Sequence, residues 1–384
     1  MNHLMMIRFL IIAFALLFGS SASFSQLISG GFTFDGLNRT YAVYLPASYQ
    51  QNEASPLIMA LHGYTQNGQT MMTFSGFNSI ADTAGFVVVY PNGVSNSWNV
   101  GFSGGSTADD VGFLLALIDT LHFRYNIDYQ RVYSTGFSNG GFMSYRLACE
   151  ATDRIAAIAP VAGTMTDASY GLCQPSAKIP VLHIHGTSDF VVSYNGGNGN
   201  KSVDQVLALW NGFNNCPSTA VVENLPDLVA EGSTVQRHTW SPCDDGSEVM
   251  LLKIVNGGHT WPGSVGVTGI GITNRDIVAS SEIWNFVKQF SRSGTGVGIS
   301  EIPQKDFNVF PNPMIDGNLN ITLPESLRAG SINISDLSGR LVFSKQITSG
   351  DKNFILNIPQ IKSGYYLISI TGSNFSGVRK LLIY

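Results

Sequence analysis

Charge is scarce in this chain: Asp, Glu, Lys and Arg make up only 12% of its 384 residues, about half the share usual in a soluble domain. The 21 Lys and Arg against 26 Asp and Glu leave a net charge of −5. That balance excludes a nucleic-acid partner as a leading reading. Disorder is excluded as well, because 44% of the residues are hydrophobic and can bury enough surface to offset the entropy of ordering. Cysteine is rare. Cys149, Cys173, Cys216 and Cys243 show no C-x-x-C spacing, which argues against a zinc site. No uninterrupted apolar run reaches the ~18 residues that a membrane-crossing helix needs. The 41 glycines follow no triplet period, so a collagen-like rod is out.

What is present divides into stretches of different character. Arg8 precedes the apolar run Phe9 to Gly19, and small residues follow from Ser20 to Gln26. A positive start, a short apolar core and a small-residue site describe a signal peptide over residues 1–25, with cleavage ahead of Gln26. Export to an oxidising compartment makes disulfides the expected state of the cysteines. Of the three possible pairings, the one joining sequence neighbours, Cys149–Cys173 and Cys216–Cys243, is favoured.

From residue 26 to 290 short apolar runs alternate with helical spacing. RTYAVYLP, SPLIMALHG, GFVVVYPNG, QRVYSTG, RIAAIAPVAG and PVLHIHG read as strands. Several are continuously apolar and end in glycine, as strands buried on both faces of a parallel sheet do. Residues 111–125 and 140–151 carry helical spacing, with Asp109 and Asp110 suited to cap the first. The expected class is α/β, with helices on both faces of a mostly parallel sheet. The Gly/Ser-rich segment 291–305 reads as a linker. Beyond it, residues 306–384 show short alternating strands that predict a small C-terminal β-sandwich.

The sharpest local pattern is GFSNGG, residues 136–141, a G-x-S-x-G between a buried strand and a helix. That context suits a nucleophile elbow, which holds Ser138 on a strained turn at the carboxyl edge of the sheet. An elbow serine needs an acid and then a histidine further along the chain. His183, His185, His238 and His259 all lie downstream. The first two alternate within a strand and read as packed or structural, and His238 falls in a strand as well. His259, in GGHTWPG directly after the strand VMLLKIV, is the candidate base. Asp189 follows PVLHIHG by three residues, at a strand's carboxyl end where sites of open α/β sheets collect. It is the candidate acid, because Asp153, Asp204, Asp227, Asp244 and Asp245 have no comparable strand ahead of them. The oxyanion of acyl transfer needs two backbone donors. The Asn139 amide follows the nucleophile, and Tyr64 in LHGYTQNG supplies the other from an early loop. His62 reads as a brace for that loop. Trp98 and Trp261 are expected to line a substrate pocket. His183 and His185 lack a third ligand of suitable spacing, so no metal is expected.

With these residues in place, residues 28–290 resemble the secreted esterase family that includes polyhydroxybutyrate depolymerase-like enzymes and bacterial feruloyl esterases. The stretches that carry the likeness are LHGYTQNG, DDVGF, RVYSTGFSNGGFMSYRLACE, IAAIAPVAGTM, VLHIHGTSDFVVSYNGG and GGHTWPG. The resemblance implies an α/β-hydrolase fold, no cofactor, and Ser138, Asp189 and His259 as nucleophile, acid and base. Tyr64 departs from the pattern, since a small residue or cysteine often follows the HG pair there. Residues 306–384 resemble the C-terminal sorting domain of type IX secretion in Bacteroidetes, through FPNP, DLSGRLV, SGYYLISI and RKLLIY; a carbohydrate-binding module is the rival. That likeness implies the type IX machinery as a partner and an extracellular or cell-surface location. The expected activity is release of feruloyl or acetyl groups from plant polysaccharide, a polymeric ester substrate. Polyhydroxybutyrate hydrolysis, a peptidase and a non-catalytic binding protein on the same scaffold are the rivals.

Overall fold

A computed structural model describes residues 24–264, 270–292 and 307–383, save 316, 325, 328–329, 337–340, 349, 360 and 373–374. The expected signal peptide at 1–25 therefore lies outside the described residues except for its last two, and the linker at 291–305 except for its first two.

The large sheet is built from β1 (Gln26–Phe34), β2 (Leu37–Leu45), β3 (Ser55–Leu61), β4 (Val87–Pro91), β5 (Ile127–Phe137), β6 (Ala157–Val161), β7 (Val181–Gly186), β8 (Val221–Asn224), β9 (Thr234–Trp240) and β10 (Val249–Val255). Its spatial order is β1-β2-β4-β3-β5-β6-β7-β10-β9-β8. The central strands from β4 to β10 pair in parallel, and antiparallel strands flank them at both edges. The helices are α1 (Gly68–Ser75), α2 (Phe77–Ala84), α3 (Asp110–Tyr125), α4 (Asn139–Glu150), α5 (Asp167–Leu172), α6 (Val203–Asn214) and α7 (Ala279–Val287). This order with its crossover helices is the α/β-hydrolase arrangement.

Strand periodicity decides where each side chain goes. Along β3, Leu57, Met59 and Leu61 enter one core cluster while Ile58 and Ala60 enter the other. The sheet therefore buries both faces, which is why these strands read as unbroken apolar runs. Helix α3 contributes Phe113, Leu114, Leu117 and Ile118 to the first cluster, and α4 and α6 join it with Leu147 and Trp210. The opposite face is covered by α2 and α7, through Phe77, Ala81, Ile283 and Phe286. Asp109 caps α3 by accepting from the Gly112 amide. Asp110 does something different. It is fully buried, pairs with Arg39 at 2.5 Å, and accepts from the Asn99 amide at 2.7 Å, tying down the loop between β4 and α3.

The chain leaves β3 for β4 on one side and then crosses from β4 to β5 on the other side of β3. This reversal of winding opens a crevice at the carboxyl ends of β3 and β5. Leu61 pairs with Gly136 across those strands, so the LHGYTQNG loop and the G-x-S-x-G turn emerge side by side. Farther along, Gly186 at the end of β7 pairs with Ile254 near the end of β10, so the loops bearing Asp189 and His259 are also neighbours.

Two disulfides, Cys149–Cys173 and Cys216–Cys243, link the chain in the favoured pairing. Among the C-terminal residues, β11 (Asn308–Phe310), β12 (Asn318–Thr322) and β15 (Asn353–Asn357) form one antiparallel sheet. A second contains β13 (Gly330–Asp336), β14 (Leu341–Ile347), β16 (Gly364–Gly372) and β17 (Ser376–Ile383). Leu319 and Leu356 from the first share one apolar core with Ile332, Ile334 and Ile368 from the second, the layered packing of a sandwich.

Candidate active site

Strand β5 runs into the turn at Ser138, whose backbone has φ 53° and ψ −118°. An L-residue there costs on the order of 1–3 kcal/mol, which the packing around the turn must hold in place. The flanking glycines show how tight that packing is. A Cβ on Gly140 would meet the Leu61 carbonyl oxygen at 2.2 Å, and one on Gly136 would meet the Gly140 carbonyl carbon at 2.4 Å. The serine is thus half-buried at the mouth of α4, a helix that begins without a side-chain cap. The Gly141 and Phe142 amides turn back to the Ser138 carbonyl, which leaves the start of the helix facing the serine.

The expected acid and base meet. His259 Nδ1 lies 2.7 Å from Asp189 Oδ2, and both residues are at most 5% exposed. Asp189 Oδ1 accepts from the Val191 and Val192 amides at 2.9 and 2.8 Å. Burial alone would raise the Asp189 pKa, but the hydrogen bonds from His185 and His259 outweigh it and hold the carboxyl well below the ordinary range. An ionised Asp189 accepts the Nδ1 proton of His259 and leaves Nε2 bare as the basic nitrogen. The His259 ring lies 4.8 Å from the ring of Phe137, the residue before the serine.

In the early loop the amides on either side of Tyr64 are engaged. The Gly63 amide donates to Gln66 Oε1 at 3.0 Å and the Thr65 amide to the Asn96 carbonyl at 2.9 Å. Between them, the Tyr64 amide has no partner among the described hydrogen bonds, and neither has that of Asn139. The Asn139 side chain is engaged elsewhere: its Oδ1 accepts from the Trp98 amide at 2.7 Å. His62 braces the loop as expected, accepting from the Gly93 amide at Nε2 and donating from Nδ1 to the Gly63 carbonyl. Burial lowers its pKa to about 4, in keeping with a neutral ring.

Trp98 and Trp261 correct the sequence reading. Both are buried, at 0% and 1% exposure, and present no face to a ligand. Trp98 packs its ring 4.9 Å from His62 and donates from Nε1 to the His62 carbonyl. Trp261 packs edge-on against Phe74 and Phe77 and donates to Ser280 Oγ. A tryptophan in a loop turns inward when a core lies beneath it, because burying the ring far outweighs exposing it. Tyr64, by contrast, is 46% exposed. Phe190 and Val191, directly after Asp189, are exposed at 72% and 52%, and nothing in the local sequence sets them apart from apolar residues that face a core. Among the described residues no group of three or more His, Cys, Asp or Glu is placed to hold a metal.

Residues 39–173 match the family model described as esterase PHB depolymerase, and residues 308–384 that of the secretion system C-terminal sorting domain. A bifunctional acetylxylan esterase/xylanase of Neocallimastix patriciarum is 32% identical over 74% of this chain and 38% of its own length. Feruloyl esterase B of Piromyces equi is 29% identical over 66% of this chain and 45% of its own. The chain thus spans less than half the length of these two relatives. Feruloyl esterase D of Neurospora crassa is 28% identical over 67% of this chain and 84% of its own. Among solved structures, an acetyl xylan esterase from Aspergillus awamori aligns with a TM-score of 0.47 at 15% identity, over 69% of this chain and 98% of that one. The esterase PHB depolymerase match thus falls on the large sheet, within residues 39–173, and the sorting-domain match on the C-terminal sheets, residues 308–384.

Proposed function

We propose that the chain is an exported carboxylic ester hydrolase that works through an acyl-enzyme on Ser138. The observation that carries this reading is the 2.7 Å contact of His259 Nδ1 with Asp189 Oδ2, set beside a serine on a strained strand-to-helix turn. His259 Nε2 takes the hydroxyl proton as Ser138 Oγ bonds to the ester carbonyl carbon. The electron pair displaced onto the carbonyl oxygen is met by the Asn139 and Tyr64 amides. The C–O bond to the alcohol then breaks, His259 returns the proton to the leaving oxygen, and water repeats the sequence to free the acid. Asp189 stays ionised and fixes the imidazole tautomer throughout.

The relatives' names support feruloyl or acetyl esters of plant polysaccharide as substrates, and the family model favours polyhydroxybutyrate as a second reading. The sorting domain supports export by the type IX machinery to the cell surface or beyond. Hydrolysis of p-nitrophenyl acetate, methyl ferulate, acetylated xylan and polyhydroxybutyrate by the full chain and by Ser138→Ala tests the proposal. The substitution should lower turnover by at least ~10³-fold and abolish labelling by a fluorophosphonate. Undiminished turnover in the variant would remove the mechanism. Ser138-dependent release of ferulate would assign a cinnamoyl pocket, and cleavage of the polyester alone would select the second reading.

A further inference from the structure

A buried chain of hydrogen bonds runs from α4 to the carboxylate of Asp189. Tyr145 Oη lies 2.7 Å from His183 Nδ1, and His183 Nε2 lies 3.1 Å from His185 Nδ1. His185 Nε2 is 2.8 Å from the Val192 carbonyl oxygen and 3.3 Å from Asp189 Oδ2. All three side chains are at most 1% exposed. His183 and His185 share one face of β7 because strand side chains alternate, and α4 packs on that face.

The proton positions follow from the partners. Tyr145 has His183 Nδ1 as its acceptor, and a buried hydroxyl donates where an acceptor is in reach. His183 Nδ1 is therefore bare, and its proton sits on Nε2, directed at His185 Nδ1. That leaves the His185 proton on Nε2, facing two oxygens. Reasoning from the other end gives the same answer, since a bare Nε2 could not face both the Val192 carbonyl and a carboxylate. Burial and the neighbouring His185 keep the His183 pKa well below the ordinary value, and burial pushes the Tyr145 hydroxyl well up. Each group is neutral, and each donor points toward Asp189.

We infer that Tyr145, His183 and His185 form a positioning relay for Asp189, an inference that rests on the reading of Asp189 as the orienting acid. No proton moves along it. His185 holds Val192, whose amide donates to Asp189 Oδ1, and it adds a donor on the side of Oδ2, the oxygen that meets His259. The carboxylate is thereby fixed in the one orientation that keeps His259 Nε2 unprotonated and aimed. His185 acts through Asp189 and touches no substrate.

Two amide substitutions in the full chain separate this role from simple packing. His185→Gln places an amide donor near the position of Nε2, toward Val192 and Asp189. His185→Asn reaches only the position of Nδ1, toward His183. Steady-state hydrolysis of p-nitrophenyl acetate, thermal unfolding and the low-field proton signal of His259 Nδ1–H would be measured on each. His185→Asn should lower kcat by about 10- to 100-fold, as loss of an outer hydrogen bond to a working group does, with KM little changed and the low-field signal shifted. His185→Gln should recover most of that loss. Tyr145→Phe, which leaves the ring packed, should lower kcat by only a few-fold. Equal losses in both amide variants that track their unfolding, or a wild-type kcat in His185→Asn, would overturn the relay while Ser138-dependent turnover left the site reading intact. Turnover indifferent to Ser138→Ala would overturn both.

Discussion

His62, Asn139 and His183 each spend their polar atoms on the scaffold, and each does so inside the protein where a charge would be costly. His62 is neutral in the fold with its pKa lowered to about 4 by burial, and the His183 pKa is held well below the ordinary value by burial and by His185. In the unfolded chain both return toward 6.5. Between about pH 6.5 and 4 the unfolded state therefore binds protons that the folded state refuses, and stability rises with pH across that window. Asp189 is shifted in the same direction for a different reason, hydrogen bonds from His185 and His259 to its charged form, and so acts on stability with the same sign. Its depressed pKa stabilises the fold above the ordinary carboxylate range, and that contribution is lost as the pH falls through the folded value. The urea midpoint should accordingly be lower at pH 5 than at pH 7. A midpoint unchanged or higher at pH 5 would show that these histidines are protonated in the fold.

Strand β5 and helix α4 are joined by the tightest turn in the site, and its geometry depends on side chains that are missing. Gly140 lets the start of α4 approach the end of β3, where its Cβ would strike the Leu61 and His62 carbonyl oxygens at 2.2 and 2.8 Å. Backbone cannot yield as a flexible side chain does. Gly140→Ala should destabilise the protein by about 1–3 kcal/mol, the usual range for overpacking, and should lower kcat more than it raises KM because Asn139 and Ser138 move with the turn. Denaturant unfolding and steady-state kinetics on the purified variant check both parts. The elements that carry the remaining groups were legible for a simple reason. Asp189 and His259 each follow an apolar run at the carboxyl end of a strand, and β7 and β10 pair in parallel register. Strand β1 and helices α1, α2 and α7 were not read from the sequence. Their short apolar patterns acquire meaning only from the sheet they cover.

At the scale of the whole molecule, two disulfides close loops of 24 and 27 residues within the hydrolase fold. Cys149–Cys173 ties the end of α4 to the end of α5. Cys216–Cys243 joins the segment after α6 to the entry of β10. Each loop closure restricts the unfolded chain and contributes about 3 kcal/mol by chain entropy. Replacing Cys149 and Cys173 together by serine should lower the unfolding free energy by roughly that amount, with the hydrolysis of p-nitrophenyl acetate retained at low temperature. An unfolding free energy equal to that of the parent would mean that the bond constrains little. The C-terminal sheets contribute no residue to the catalytic groups, and their core is separate from the two that flank the large sheet.

The sequence by itself determined the class of fold, the order of the chemistry-bearing segments and the presence of a separate C-terminal β unit. Those properties depend on local periodicity and on turn residues such as the glycines around Ser138, which act over a few positions. Only the tertiary structure decided which way the loop side chains face and which buried polar groups meet. Trp98 and Trp261 turned inward because a core lay beneath them, while Tyr64 and Phe190 stayed out. The hydrogen-bonded chain to Asp189 needs Tyr145 to lie on the helix that packs over His183, 38 residues along. No spacing in a sequence encodes that meeting, because it depends on how a whole helix settles on a whole sheet.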